Sequence, residues 1–453
     1  MTQKREAWGS KFGFILAAAG SAVGLGNIWK FPYIAGENGG AAFIFVYLIC
    51  IAIIGFPVLI AEVLIGRTTQ RNPVGAFAAL TPSKMWLSVG FLGVLAGFMI
   101  LSFYSVIGGW TIGYVIETLR GSLSNFHNPA EAGVLFGELS GSASWTLGYH
   151  TIFFAITMFI VVRGVQGGIE RSSKIMMPIL LSILVILMIR GMTLPGANKG
   201  LAFLLVPDWA KINGHTILIA LGHAFFTLSL GMGAMMTYGS YMSKKDSVIT
   251  ASAQIVFLDT LIAIMAGVAI FTAVFASGLD PAAGPGLIFQ TLPAVFAGMT
   301  GGVYFSFLFF LLLAIAALTS AISLLEVVVA YFVDEKGWNR KGAVIIFGGT
   351  IYLLGIPSAL SFNVMSDVTL FGKTFFDVVD FIASNVLLPF GGLMISIFVG
   401  WIWTRTSVIS AAKEGAEHFF EAYPWFEGLW FVFLRFVAPV LIMLVLLSSL
   451  GIV

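Results

Sequence analysis

The residues best suited to chemistry lie where an apolar chain has least use for them. Residues 20–32, GSAVGLGNIWKFP, place Gly20, Gly24 and Gly26 within seven positions, then Asn27, Lys30 and Pro32. Glycine costs a helix interior about 1 kcal/mol relative to alanine. Unwinding there frees backbone N–H and C=O groups, and each costs several kcal/mol if left unpaired away from water. Freed carbonyls suit a hard cation such as Na⁺, and the side-chain oxygen of Asn27 adds a further ligand. Freed N–H groups at a half-helix N-terminus suit a carboxylate. The plain alternative is close helix packing through Gly20 and Gly24.

Two further groups share this character. Residues 226–233, FTLSLGMG, set Thr227 and Ser229 beside Gly231 and Gly233. A lone hydroxyl in a span ordinarily bonds back to its own helix; two of them beside a second glycine break read as site lining. Residues 316–323, AALTSAIS, put Ala316, Thr319, Ser320 and Ser323 on one helical face. That stripe serves equally as a packing face or as two hydroxyls and a carbonyl for Na⁺. Charges inside apolar runs are costly and are functional candidates by default. Lys30, Glu62, Asp259, Glu326, Asp377 and Asp380 qualify. Asp259 carries the most weight, because its depth matches the supposed cation site. Glu62 suits the freed N–H groups of the broken helices, and Glu326 suits an aqueous vestibule.

These groups need a frame, and composition supplies it. Of the 453 residues 59% are hydrophobic and 10% charged, which indicates a polytopic membrane protein. A net charge of +2 with no basic run gives no reason to expect nucleic acid. A single cysteine, Cys50, excludes an intrachain disulfide. The opening MTQKREAWGSK is too polar for a signal peptide, so the first apolar segment reads as a retained span. Apolar runs of about 20 residues fall at 11–36, 41–66, 86–118, 147–163, 168–190, 215–241, 250–277, 302–332, 342–357, 375–403 and 428–450. Residues 280–297, broken by Gly284 and Pro293, read as a short re-entrant or surface helix.

The expected fold is therefore all-α and polytopic, with eleven transmembrane helices. With the N-terminus inside, inner segments hold sixteen Lys and Arg, from Lys4 to Lys413, against five outside. That is a positive-inside bias, with the N-terminus cytoplasmic and the C-terminus extracellular. Spans 1–5 (11–190) and spans 6–10 (215–403) are of similar length and begin on opposite faces, so repeats between them must be inverted. Each block opens on a glycine-broken span, which is the sequence pointer to a transporter site. The remaining segments are 1–10, cytoplasmic; 191–214, an extracellular linker; 404–427, a cytoplasmic loop; and 428–453, the last span. In span 5, Gly168 and Pro178 mark a segment that could unwind near the cytoplasm, or ordinary helix punctuation.

GLGNIWKFP, ENGGAAF, FFTLSLGMG and LTSAISLLEV together resemble the neurotransmitter:sodium symporter family, from Arg5 to about residue 403. The match is close to the multi-substrate hydrophobic amino acid transporters among its bacterial members. The resemblance implies two sodium ions. The first would take the Ala22 carbonyl, Asn27, Thr227 and Asp259. The second would take the carbonyls of Gly20, Val23 and Ala316 with the hydroxyls of Thr319 and Ser320. The substrate pocket would be Ser21, Ala22, Leu25, Gly26, Ile100, Tyr104, Phe226, Thr227, Ser229, Met232, Ser320 and Leu324. Lys30 with Asp380 would form an outer gate under the Tyr104 and Phe226 lid. Arg5 with Asp334 would form an inner gate beside Trp8.

Three departures from the family pattern matter. Lys30 stands where Arg is frequent, Asp259 where Asn is common, and His223 and Ala263 where chloride-dependent members bind the anion, although Tyr47 is retained. Gly24 leaves room for a substrate carboxylate where monoamine-transporting relatives place Asp. The function expected is a sodium-coupled symporter importing aliphatic and aromatic L-amino acids by alternating access, independent of chloride, in a prokaryotic inner membrane. A channel needs a continuous polar path, whereas these polar groups cluster at mid-depth under aromatic lids. An intramembrane enzyme needs a metal or nucleophile constellation, and the five histidines form none. Oligomeric state is left open.

Overall fold

The computed structural model describes residues 5–124, 126, 128–282, 284 and 286–452. The first four residues of the N-terminal segment, Lys4 among them, and Val453 lie outside the described residues. Among the described residues nine helices are long and apolar enough to cross a membrane, or ten when a bent pair counts as one. The bent pair is span 1, Lys11–Ala22 with Gly26–Glu37, turned by 49° at the glycine-rich stretch. The segment expected as span 6 is split into Gly214–Thr227 and Ala234–Gly239, each too short to cross alone. The other spans are Ala41–Thr69 (2), Met85–Leu119 (3), Ala143–Val161 (4), Val165–Met192 (5), Val248–Ala276 (7), Gly302–Lys336 (8), Arg340–Leu360 (9), Phe375–Ile402 (10) and Trp425–Ser449 (11).

Apolarity all round lets a helix be buried anywhere, so packing has to sort core from periphery. Spans 3 and 8, the two 35-residue helices, pack along each other, and most residues of each are buried. Spans 4, 5 and 11 have only a minority of their residues buried and lie toward the periphery. The first half of span 1 threads between spans 5, 7 and 8, and Gly13 through Ala22 are all buried. The broken span thus lies at the centre, where unpaired backbone costs most.

The segment at 280–297 is the helix Leu287–Ala297, begun by a wide π-type turn. Several elements lie outside the expected spans, among them the helices Pro73–Leu80 and Ala197–Leu205. An amphipathic helix, Pro129–Gly141, capped by Asn128, lies between spans 3 and 4. A two-residue hairpin pairs Thr369–Leu370 with Lys373–Thr374, turning through Phe371 and Gly372 at φ of 53° and 74°.

Candidate functional site

Span 1 stops because the chain leaves the helical path at Val23, whose N–H still reaches the Ala19 carbonyl. The Gly24 N–H then donates to the Asn27 side-chain oxygen at 3.1 Å. Span 6 stops at Leu228–Gly233, where Ser229, Gly231 and Gly233 take φ of 54°, 81° and 74°. Only glycine adopts that region without cost, and a Cβ on Gly231 would also strike the Leu388 carbonyl. The freed Gly231 N–H donates to a Glu62 oxygen at 2.7 Å. Glu62, fully buried in span 2, therefore does satisfy a broken helix.

The two breaks face each other across a cluster of oxygens. The Asn27 amide donates to the Asp259 carboxylate at 2.7 Å and to its backbone carbonyl at 3.1 Å. The Thr227 hydroxyl donates to the two Asp259 oxygens at 3.1 and 3.3 Å. Asn27 and Asp259 are fully buried and Thr227 nearly so, and no cationic side chain pairs with Asp259 among the described residues. A buried carboxylate without a cation is costly, and with the Asn27 and Thr227 oxygens beside it this one could hold a bound cation.

A second oxygen group sits where span 8 meets span 1. The Thr319 hydroxyl lies 2.9 Å from the Ala316 carbonyl and 3.4 Å from the Val23 carbonyl. Gly20 faces Thr319 closely enough that a Cβ would come within 3.2 Å of both the Thr319 Cβ and the Met177 sulfur of span 5. Ser320 stands apart from this group: its hydroxyl donates to the Ser21 carbonyl at 3.1 Å, as does that of Ser229 at 2.9 Å.

Between the two groups lies a cavity of about 30 Å³ lined by Ser21, Ala22, Gly24, Gly26, Ile100, Tyr104, Phe226, Ser229, Met232, Ser320 and Leu324. Ten of the twelve expected pocket residues line it. Thr227 turns to Asp259 instead, and Leu25 contributes its N–H, which donates to the Tyr104 hydroxyl at 3.2 Å. Gly24 joins the lining: a Cβ there would strike the Ser320 and Tyr104 hydroxyls. The volume suffices for about two waters, so a leucine-sized side chain enters only as Met232, Phe226 or Tyr104 swings aside.

On one side of this cavity the chain is closed. Arg5 pairs with Asp334 at 2.7 Å, donates to Ser240 at 2.8 Å and stacks over Tyr241. Trp8 donates its indole N–H to the Tyr238 carbonyl at 2.9 Å and packs edge-on against that ring. On the other side Lys30 and Asp380 form no ion pair within 4.0 Å. Lys30 instead lies 4.4 Å from the centre of the Phe226 ring, and Asp380 accepts from Ser384. Above them opens a vestibule of about 360 Å³ lined in part by Lys30, His215, His223, Phe226 and Asn385. His223 packs against Phe31 and Tyr47 with both ring nitrogens unpartnered, and Ala263 is buried.

Two of the charges singled out above have other surroundings than expected. Glu326 is fully buried rather than in a vestibule, paired with Arg340 and accepting from Tyr241. Asp377 is exposed in the first turn of span 10, where it closes a capping box with the N-cap residue Thr374. In span 5, Gly168 and Pro178 lie within continuous helix. A Cβ on Gly168 would meet the Ile160 carbonyl, so close packing on span 4 also accounts for this glycine.

Sequence reasoning missed Glu170 and Glu6, which tie the N-terminal segment to the start of span 5. Glu170 accepts from the Gly9 N–H at 2.7 Å and from Ser10 at 3.0 Å, and Glu6 accepts from the Val165 N–H at 2.6 Å. Partners some 160 residues apart leave no local signal; only an acidic residue opposite a serine-capped helix start hinted at it.

Comparison with known proteins agrees in outline. The model of the Sodium:neurotransmitter symporter family matches residues 5–129 and 137–452. The chain is 44% identical over 450 residues to an uncharacterized sodium-dependent transporter of Bacillus subtilis, with 99% of both chains covered. It is 37% identical over 459 residues to another from Haemophilus influenzae, again with 99% of both covered. It is similar to the crystal structure of MhsT in complex with L-phenylalanine, with a TM-score of 0.89, 49% identity, and 98% of this chain and 100% of that one covered.

Proposed function

Since the chain belongs to the sodium:neurotransmitter symporter family, and is thus a transporter rather than an enzyme, we propose that it imports hydrophobic L-amino acids coupled to two sodium ions. The observation that carries this reading is a small, mostly apolar cavity between two helix breaks, with an oxygen cluster on each side. One Na⁺ would take Asn27, Thr227, Asp259 and the Ala22 carbonyl. The other would take Thr319, Ser320 and the carbonyls of Gly20, Val23 and Ala316. The substrate carboxylate would meet the freed N–H groups around Leu25 and Gly26 and the Tyr104 hydroxyl, whereas Ile100, Phe226, Met232 and Leu324 would receive its side chain. A charged side chain would lose its hydration there without a partner. Met232, free to change rotamer between two glycines, suits both aliphatic and aromatic substrates. MhsT, the structural relative, holds L-phenylalanine.

The reading extends to the cycle. Eleven crossings follow if Gly214–Thr227 and Ala234–Gly239 make one broken span, with two inverted five-helix repeats and the C-terminus outside an inner membrane. Alternating access would open the Arg5–Asp334 closure while Lys30, Phe226 and Asp380 close the vestibule. Unwinding between Gly168 and Pro178 would hydrate the second sodium site, which Met177 adjoins. Asp259 would supply the negative charge that spares the cycle chloride. The test is competition of labelled L-leucine uptake by all twenty amino acids in proteoliposomes. Apolar and aromatic amino acids should compete; Asp or Lys competing as well as Leu would refute the specificity.

A further inference from the structure

Arg435 has no place in the transport site, yet its surroundings are those of a binding residue. It lies in span 11, eight residues from Glu427, which is about 12 Å deeper along the helix axis. Its Nε is buried without a partner, and no carboxylate pairs with it among the described residues. The guanidinium is held by rings instead: 4.2 Å from the centre of Trp401, 5.4 Å from Phe436 and 5.9 Å from Phe431. Trp401 and Phe436 are half exposed, so this box opens on the outer surface of the helix bundle.

The box is built. Trp401 donates its indole N–H to the Arg435 carbonyl at 2.9 Å. Gly400 allows span 10 to lie against Arg435, because a Cβ there would meet the Arg435 Cα at 2.8 Å. Arg405 covers the Phe431 ring at 5.2 Å, so two guanidinium groups share one ring. Glu427, the acid in reach of Arg405 at 3.7 Å, is already claimed by Lys413 at 3.0 Å. The helix that begins at Arg405 is anchored by buried Arg67, which donates to the Ala411 and Glu414 carbonyls and, at 2.7 Å, to that of Asp246. Glu427 is thus the one carboxylate that pairs with any of the three cations Arg405, Lys413 and Arg435 among the described residues. The cluster lies at the end of the bundle that carries Arg5 and Asp334, since Asn72, a few residues past Arg67, hydrogen-bonds Asp334.

A cation at this depth without a counter-ion reaches toward the headgroup region, and planar guanidinium groups match phosphate oxygens. We infer that Arg435 and Arg405, with Trp401, Phe431 and Phe436, form a site for the phosphate headgroup of an anionic glycerophospholipid in the adjoining leaflet. The rings pack on its glycerol and upper acyl carbons. A bound lipid there pins span 11 to span 10, outside the substrate path.

The test is native mass spectrometry of the detergent-solubilised full chain titrated with phosphatidylglycerol, with phosphatidylcholine and inorganic phosphate as separate arms. Wild type should hold one phosphatidylglycerol in preference to phosphatidylcholine, and inorganic phosphate should not displace it at equal concentration. Arg435→Gln and Arg405→Gln should each weaken that adduct about five-fold, and Arg435→Lys should recover part of it. Unchanged binding in both glutamine variants would overturn the site. So would equal retention of phosphatidylcholine, or displacement by inorganic phosphate. If Arg435→Gln does not fold, Arg405→Gln decides alone, because that side chain is 57% exposed.

Discussion

Replacing Asp259 by Asn removes a charge from the centre of the proposed first sodium site with little change in shape. The carboxylate accepts the Asn27 amide at 2.7 Å and the Thr227 hydroxyl at 3.1 and 3.3 Å. A unit charge about 4 Å from a cation is worth about 4 kcal/mol at an effective dielectric constant of 20. The amide oxygen of Asn recovers part of this, and the Asn27 contact loses its charge assistance. A net loss of about 2–3 kcal/mol corresponds to a roughly 30- to 150-fold rise in the Na⁺ concentration for half-maximal uptake. The assay is Na⁺-dependent uptake of labelled L-leucine in proteoliposomes, in chloride and in gluconate. Wild type should be indifferent to the anion, whereas Asp259→Asn should need more Na⁺ and should be stimulated by chloride, which then meets no competing negative charge. Wild-type uptake that collapses in gluconate would refute the reasoning. So would an Asn variant with unchanged Na⁺ dependence and no response to chloride.

Three further outcomes can be checked. Thr319→Ala with Ser320→Ala removes the Thr319 hydroxyl from the second oxygen group and the Ser320 hydroxyl from the Ser21 carbonyl beside it, and should raise the half-saturating Na⁺ at least ten-fold; an unchanged Na⁺ curve would remove that assignment. Gly24→Val would press on the Ser320 and Tyr104 hydroxyls and should cost most for the largest substrates, so the ratio of tryptophan to alanine uptake should fall, and a constant ratio would count against the pocket. Pro178→Ala restores a strong helix former, worth up to about 3 kcal/mol in a helix interior, and should slow turnover while leaving substrate binding intact; unaltered turnover and cytoplasmic accessibility would reduce Gly168 and Pro178 to packing and punctuation.

Much of the site was legible because a membrane span is an unforgiving background. Gly24, Asn27, Thr227 and Asp259 stand out in apolar runs, and polar groups there need partners, so breaks within 20–26 and 226–233 followed from the residues, and the helices do end inside both stretches, at Ala22 and Thr227. The family resemblance then supplied the grouping; composition alone could not say that Asn27 and Asp259, 232 residues apart, touch. What was not legible depends on side-chain direction or distant partners. Lys30 and Asp380 are suitably charged, but Lys30 points to the Phe226 ring. Glu326 is polar enough for a vestibule, but Arg340 follows fourteen residues later and encloses it. Pro129–Gly141 stayed hidden because a 13-residue helix lacks the long apolar run that marks a span.

The central claim is that a sodium gradient drives an apolar amino acid uphill through this chain. The direct measurement is accumulation of labelled L-leucine in proteoliposomes holding a known internal concentration, with Na⁺ or K⁺ outside and a Na⁺ ionophore added midway. Accumulation above equilibrium only in Na⁺, released when the ionophore collapses the gradient, is the expected result. Equal uptake in Na⁺ and K⁺, or uptake that stops at equilibrium and ignores the ionophore, would contradict it.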